Sequence, residues 1–429
     1  MAELTNVLNE YAHTLYTKLV DAAIPQETPF LTGLSFDKSN KQGGDYTQHI
    51  AVSEEAGFVH GASGDGAIAA PTAVGLETVK ATVNGYQVGL VSTIDYESAE
   101  RAADSRRAYA DIAGKKQASG FSAIRRRLED ELTWGQSGLA KVNTSTNTNA
   151  TTTVLTLTLA EFAPWIWAGK KNHQIVVYNG TTKVGSGAFT ITKTNVSRDV
   201  RTVTVTGADA DITALDALFP ANADGISLFW SGTVTGSAGT YAAKTMVGIM
   251  KAATTTTGTL FGVDLTANTD AAPNTYAAGG AMSFAKALQC AEILVGRGVI
   301  EPVLMDVNPR TWNNMMTDQA ALVRYQGKQS KLENGADAIT FYTQGVSISI
   351  SGNGRMKEGY ALVRPKSGLK RIGARDVSMV TPGSAGSSKG DIWYHDPTRF
   401  GYTWRIWTHQ AFFSEELHKL LSVTGIVNS

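Results

Sequence analysis

Seven histidines, His13, His49, His60, His173, His395, His409 and His418, never fall four residues apart, so no helix turn presents two imidazoles to a zinc ion. Gly386-Ser387-Ser388-Lys389-Gly390 matches the G-x-S-x-G spacing that exposes a serine nucleophile on a strand-to-helix turn. No helix pattern follows Gly390, and Asp391 and His395 lie too near in sequence to act as the later partners of a triad. Ser35-Phe36-Asp37-Lys38 has the S-x-x-K spacing of an acylated serine, but the S-D-N and K-T-G companions are absent. There is no G-x-x-x-x-G-K-[ST] loop and no strand-linked G-x-G-x-x-G to cradle a phosphate. Sequons at Asn143, Asn149, Asn179 and Asn195 follow from the abundance of Asn and Thr. The single cysteine, Cys290, falls on the apolar side of a helical pattern and reads as a small buried hydrophobe. These patterns predict no catalytic residue, no metal site and no cofactor.

Arg125, Arg126 and Arg127 form a basic run suited to phosphate, yet Glu129, Asp130 and Glu131 follow at once and neutralise it. The run is expected to be a solvated or intersubunit helix face. Trp165, Trp167, Trp230, Trp393, Trp404 and Trp407 sit in strand-like settings, where core packing is the default over a carbohydrate platform.

The elements that carry these residues can be read in order. The 429 residues hold roughly two to four domains. With 38 basic and 38 acidic residues the formal net charge is zero, which disfavours a dedicated nucleic-acid binder. One cysteine fits a reducing cytoplasm. The first twenty residues lack a basic start followed by an apolar run, so no secretory signal is expected. No stretch of 18 apolar residues occurs, so no membrane-spanning helix is expected.

Leu4, Val7, Leu8, Tyr11, Leu15 and Leu19 predict an amphipathic helix that ends before Pro25 and Pro29. Alternation at Tyr46, Ile50 and Val52, then at Val79, Ala81 and Val83 and at Tyr86, Val88 and Leu90, predicts extended strands. The glycine-rich stretch between them, residues 56–75, reads as the mobile tip of a long hairpin. Residues 97–134 predict a charged helix about 57 Å long at 1.5 Å per residue. Phe121, Ile124, Leu128 and Leu132 form its one narrow apolar stripe, while Gly114 and Gly120 should bend or weaken its middle.

Composition then breaks. Residues 142–160 hold eight threonines in nineteen positions, and residues 140–280 carry only 17 charges, so a different kind of surface begins here. Val154, Leu155, Leu157, the IVVY run before Asn179-Gly180, and Val203 and Val205 predict an all-β domain. Residues 236–280 show little periodicity and read as an extended connection. Phe284, Leu288, Ala291 and Leu294, a buried strand in PVLMDV, a helix from Pro309 and strands at Val346–Ile350 and Tyr360–Val363 predict a compact α+β domain. The alternating strand Tyr402, Trp404, Ile406 and a short amphipathic stretch, Phe412–Leu421, close the chain.

This order of arm, glycine-tipped hairpin, charged spar helix and later α+β domain resembles the Hong Kong 97 fold of tailed-bacteriophage major capsid proteins, also found in encapsulins. The run RRRLEDELTWGQSG, residues 125–138, looks like the end of that family's spine helix. The resemblance implies an α+β chain divided as follows: an N-terminal arm over 1–43, an extended loop with peripheral-domain strands over 44–94, a spine helix over 95–140 and an inserted β domain over 141–235. It continues as a connection over 236–280, an axial domain over 281–390 and returning peripheral strands over 391–429.

It implies self-assembly into hexamers and pentamers of an icosahedral shell, with a separate scaffolding protein, a portal and decoration proteins as partners, weak non-specific contact with packaged DNA, and a place in the virion. Intersubunit contacts are expected at Phe58, His60 and Lys80 on the hairpin, and at Arg106, Arg107, Arg125, Arg126, Arg127, Glu129, Asp130 and Glu131 on the spine. Some relatives link subunits covalently through a lysine in the extended loop and an asparagine elsewhere; Lys80 lies on the hairpin here, but nothing in the sequence identifies its acceptor, so that chemistry is not carried over. An encapsulin-like compartment, a β-rich carbohydrate-binding protein and an enzyme with a site of scattered residues are the alternative readings.

Overall fold

Tyr46, Ala81 and Val83 alternate with polar neighbours and turn inward from two antiparallel strands, Asp45–Ala51 and Thr78–Asn84, in which Tyr46 faces Val83 and Ile50 faces Val79. The computed structural model describes residues 26–38, 41–42, 45–63, 66, 68–69, 71–96, 106–219, 221, 225–236, 242–317, 338–343, 346–378, 394–395 and 400–428. For residues 41–42, 45, 106–115, 338–343 and 394–395 only the backbone is described. The amphipathic helix expected within residues 1–25, the first turns of the spine over 97–105 and the G-x-S-x-G match lie outside the described residues.

The spine helix, Arg106–Trp134, is one continuous element of 29 residues. Its apolar stripe is buried as expected, with Ile124, Leu128 and Leu132 at most 3% exposed. Gly120 does not break it. A Cβ at Gly120 would lie 2.2 Å from the indole of Trp404, so this glycine lets the helix approach a sheet closely. That sheet has five strands centred on Gly401–Ser414, which pairs antiparallel with Tyr86–Asp95 along one edge and with Leu369–Ser378 along the other. Ser35–Asp37 adds a parallel strand beyond Leu369–Ser378.

The Thr-rich region closes into a six-stranded barrel. Its strands are Ala140–Asn149, Thr152–Leu157, Gln174–Asn179, Thr182–Asn195, Thr202–Thr206 and Ile226–Trp230. Strict alternation sends Leu155, Val177, Ile191, Val203, Val205 and Leu228 into its interior and leaves the threonines between them half-buried on the outside. The Asn179-Gly180 pair makes the expected tight turn, with Gly180 at φ +58°.

A second sheet of six strands has the order Asn274–Gly280, Leu421–Ile426, Ala361–Pro365, Val303–Val307, Val346–Gly352 and Ala338–Thr343. The helices Phe284–Gly296 and Pro309–Met316 pack on it, burying Phe284, Ala291, Leu294 and Met315 with fully buried Cys290.

Three stretches depart from expectation. Residues 274–280, within the expected connection, form an edge strand parallel to Leu421–Ile426, and the run Asn-Thr-Tyr-Ala-Ala-Gly-Gly lacks the β-branched residues that would announce it. Leu369–Ser378 belongs to the sheet against the spine rather than to the later α+β unit. The chain ends in the six-stranded sheet, after Phe412 and Phe413 complete a strand and Leu417–Lys419 form a single 3₁₀ turn in place of the amphipathic stretch.

Candidate functional site

Consecutive residues on an α-helix point about 100° apart, so Glu129, Asp130 and Glu131 must address three different neighbours. Glu129 accepts the backbone N–H of Phe30 at 2.8 Å and of Leu31 at 2.7 Å, which holds the short helix Pro29–Gly33 against the spine. Asp130 accepts the ammonium of Lys170 from the barrel at 3.1 Å and pairs with the guanidinium of Arg355 from the loop before Ala361–Pro365. Glu131 accepts from Arg127 at 2.8 Å and from the Thr245 hydroxyl at 2.7 Å.

The same junction holds a second buried pair. Lys357 donates to Glu161 at 2.6 Å and to the carbonyl of Gly138 at 3.2 Å, and its ammonium lies 4.1 Å from the ring centroid of Trp134. Tyr360 donates to the other oxygen of Glu161 at 2.8 Å, and Trp134 donates its indole N–H to the carbonyl of Arg355 at 2.8 Å. Burial alone would raise Glu161, but Lys357 and Tyr360 outweigh it and leave the carboxyl below its ordinary value. Burial, with Glu161 beside it, pushes the Tyr360 phenol well up. Trp230 of the barrel lies under two cations, 4.6 Å from Arg127 of the spine and 4.9 Å from Lys170. The arm, spine, barrel and α+β unit therefore meet in one desolvated charge network.

This corrects the expectation for the acidic run. Glu129 and Asp130 are 0% exposed and Glu131 is 5% exposed, so they face their own chain and are turned neither to water nor to a neighbour. A carboxylate is buried at this cost only with paired cations or N–H donors, and each of the three has them. Arg125 is exposed, while Arg126 and Arg127 are half-buried. The side chains of Arg106 and Arg107 lie outside the described residues. Lys170, Glu161, Arg355 and Lys357 were not singled out from sequence. Arg355 and Lys357 flank Met356 in a glycine-bounded run, and that is the only local hint they give.

The hairpin presents the opposite situation. Beyond Ala51 and Thr78 it continues through the Val52 N–H to Glu77 carbonyl bond at 2.9 Å and an Ala56–Val74 bridge, and nearly every described residue from 51 to 80 is exposed. Phe58 is 84% exposed, Val74 55% and Leu76 52%, and His60 and Lys80 are exposed with them. Its root is held on one side: Thr82 donates its N–H to the carbonyl of Phe261 at 2.7 Å, and Phe261 packs on Phe412 and Phe413. No group of three or more His, Cys, Asp and Glu side chains placed to hold a metal occurs among the described residues.

No family model matches this chain, and no curated protein matches it either. Among solved structures, the Cyanophage A-1(L) capsid asymmetric unit aligns over 96% of this chain and 98% of that chain, with a TM-score of 0.50 at 11% identity. The chain has a phage capsid fold. A structure from Mycobacterium phage Bobi aligns over 98% of both chains at a TM-score of 0.46 and 10% identity. The holo-SrpI encapsulin complex from Synechococcus elongatus aligns over 98% of this chain and 95% of that chain at 0.42 and 8%. The assignment rests on the first of these.

Within this capsid fold the Glu129 clamp titrates near neutrality. Burial pushes its carboxyl from 4.5 up to about 7, against the lowering effect of the two N–H bonds. The folded chain therefore binds that proton more tightly than the unfolded chain. The resulting stabilisation is fully present below about pH 4.5 and is lost as pH rises through 7. In chemical denaturation at a series of pH values, wild type is expected to lose stability relative to Glu129→Gln by up to about 3 kcal/mol across this window. A constant difference between the two proteins would show that Glu129 ionises normally.

Proposed function

We propose that this chain is the major capsid protein of a tailed double-stranded DNA bacteriophage, self-assembling into hexamers and pentamers of an icosahedral shell that encloses the genome. The observation that carries this reading is a capsid fold that bears a long hairpin whose apolar tip has no core of its own. Exposed patches rimmed by polar residues mark association surfaces, and closed symmetry turns many weak contacts between identical chains into a stable container. The buried charge network supports the same role, since it ties arm, spine, barrel and α+β unit of one protomer into a rigid tile.

The barrel over 141–235 is an insertion on the outer surface in this reading. A scaffolding protein, portal and decoration proteins are its partners, assembly takes place in the host cytoplasm, and the mature protein lies in the virion. The role is structural and non-enzymatic. The zero net charge suits a wall that contains dense DNA without strong counterion-release binding. Negative-stain electron microscopy of the purified protein, alone and with its co-expressed scaffolding partner, is expected to show shells or rings of five and six. Discrete monomers or dimers under all conditions would overturn the reading.

A further inference from the structure

One buried carboxylate stands between the arm and the barrel. Lys170 of the barrel donates to Oδ2 of Asp130 at 3.1 Å, while Oδ1 receives Nη1 of Arg355, whose Nη2 reaches the backbone carbonyl of Glu27 in the arm at 3.2 Å. The side chains of Lys170, Asp130 and Arg355 are 3%, 0% and 0% exposed, so bulk water does not replace a lost partner. The Nε of Arg355 finds no acceptor among the described residues, so losing the Glu27 carbonyl would leave a buried guanidinium further short of acceptors. The backbone follows the same layout. Trp165 of the barrel donates its N–H to the carbonyl of Gly354 at 3.2 Å, and Glu358 and Gly359 donate theirs to Phe162 and Ala160 at 3.1 and 2.7 Å, so the loop that carries Arg355 is pinned to the barrel. A Cβ at Gly354 would lie 2.4 Å from the Trp165 indole, so loop and barrel meet without slack. The arm is seated one residue earlier on the spine, by the bonds from Phe30 and Leu31 to Glu129.

We propose that the seating of the arm and the seating of the barrel are coupled through Arg355 and Asp130, so that a partner which lifts the arm off the spine loosens the barrel, and one which displaces the barrel frees the arm. Lifting the arm removes the Glu27 carbonyl and opens Arg355 to water, which raises the local dielectric around the Asp130–Lys170 pair and weakens it. Displacing the barrel removes Lys170 and the three backbone bonds, and the loop then no longer holds Arg355 beside Glu27. By linkage the two effects are equal, since the factor by which one seat strengthens the other is returned in full. The coupling is a property of a single chain and holds whether or not that chain builds a shell.

Hydrogen exchange of the full-length, unassembled chain tests it from both ends. Leu31→Ala trims a buried side chain of the arm and leaves Glu27, Arg355, Asp130 and Lys170 in place. It is expected to speed exchange of the Trp165, Glu358 and Gly359 amides about five-fold or more, the lower end of ordinary coupling between sites. Lys170→Met, on the barrel, is expected to speed exchange of the Phe30 and Leu31 amides by a similar factor. Amides of the strands Thr202–Thr206 and Leu421–Ile426 should keep their rates in both variants, which separates the relay from general loosening. Thr245→Val removes a partner of Glu131 that lies off the relay, and it should leave the arm amides unchanged. Unchanged Trp165, Glu358 and Gly359 rates in Leu31→Ala, or unchanged arm amides in Lys170→Met, would overturn the coupling. So would an equal response of the arm to Thr245→Val, because any disturbance of the junction would then reach it. Should Leu31→Ala fail to fold, Lys170→Met decides alone, since reciprocity requires the arm to respond.

Discussion

Replacing Asp130 with alanine is expected to lower the stability of the protomer by about 3–5 kcal/mol, the loss typical of a buried ion pair deprived of one partner. The size follows from what remains behind. Asp130 is the shared acceptor for Lys170 and Arg355, whose side chains are 3% and 0% exposed. Its removal strands two cations in a region closed to water, where each lacks the solvation that would offset its charge. Lys170→Met is the informative companion, because it removes one cation and leaves Asp130 paired with Arg355. It is expected to cost much less, and a double-mutant cycle between the two positions should show strong coupling. Denaturant titration of the unassembled chain by tryptophan fluorescence measures both. The barrel should also become protease-sensitive in Asp130→Ala, since Lys170 links it to the spine. A loss under 1 kcal/mol would show that the network contributes specificity of domain arrangement and little stability.

The same residues show where sequence reading succeeds and where it stops. The hairpin was legible because its alternation is local: Tyr46 and Ile50, then Val79 and Val83, pair within one antiparallel unit. The spine stripe at Ile124, Leu128 and Leu132 was legible for the same reason. The barrel announced itself through its change in composition. The acidic run failed because three adjacent carboxylates normally mark a solvated face, and apart from Arg127, four residues before Glu131, the groups that allow their burial are distant: Phe30 and Leu31 for Glu129, Thr245 for Glu131, and Lys170 and Arg355, 40 and 225 residues away, for Asp130. No local pattern encodes such a pairing. Gly120 was misread similarly, since a glycine in a helix signals weakness unless the neighbour it admits, here Trp404, is known. The final strand, Leu421–Ile426, alternates well enough, but its parallel partner Asn274–Gly280 is too small in its side chains to be seen alone.

Deleting residues 58–70 is expected to abolish shell formation while leaving the fold of each protomer intact. The two halves of this result have separate physical origins. Within the chain the tip adds almost nothing to the core: Phe58, Val59 and Ile68 are 84%, 47% and 49% exposed, and the bridge at Ala56–Val74 lies at the base of the deleted segment. Thermal unfolding of the protomer should therefore shift by no more than a few degrees. Between chains the same side chains are the largest apolar surface the hairpin has to bury, at roughly 25 cal/mol per Å². The loss is repeated at every subunit of a closed assembly, so a modest change in one contact becomes a complete loss of particles. Sedimentation of the variant should show protomers or small oligomers at concentrations where wild type sediments as shells. Normal particles from the deleted chain would mean that the hairpin tip is dispensable and that assembly is carried by the spine and the α+β unit.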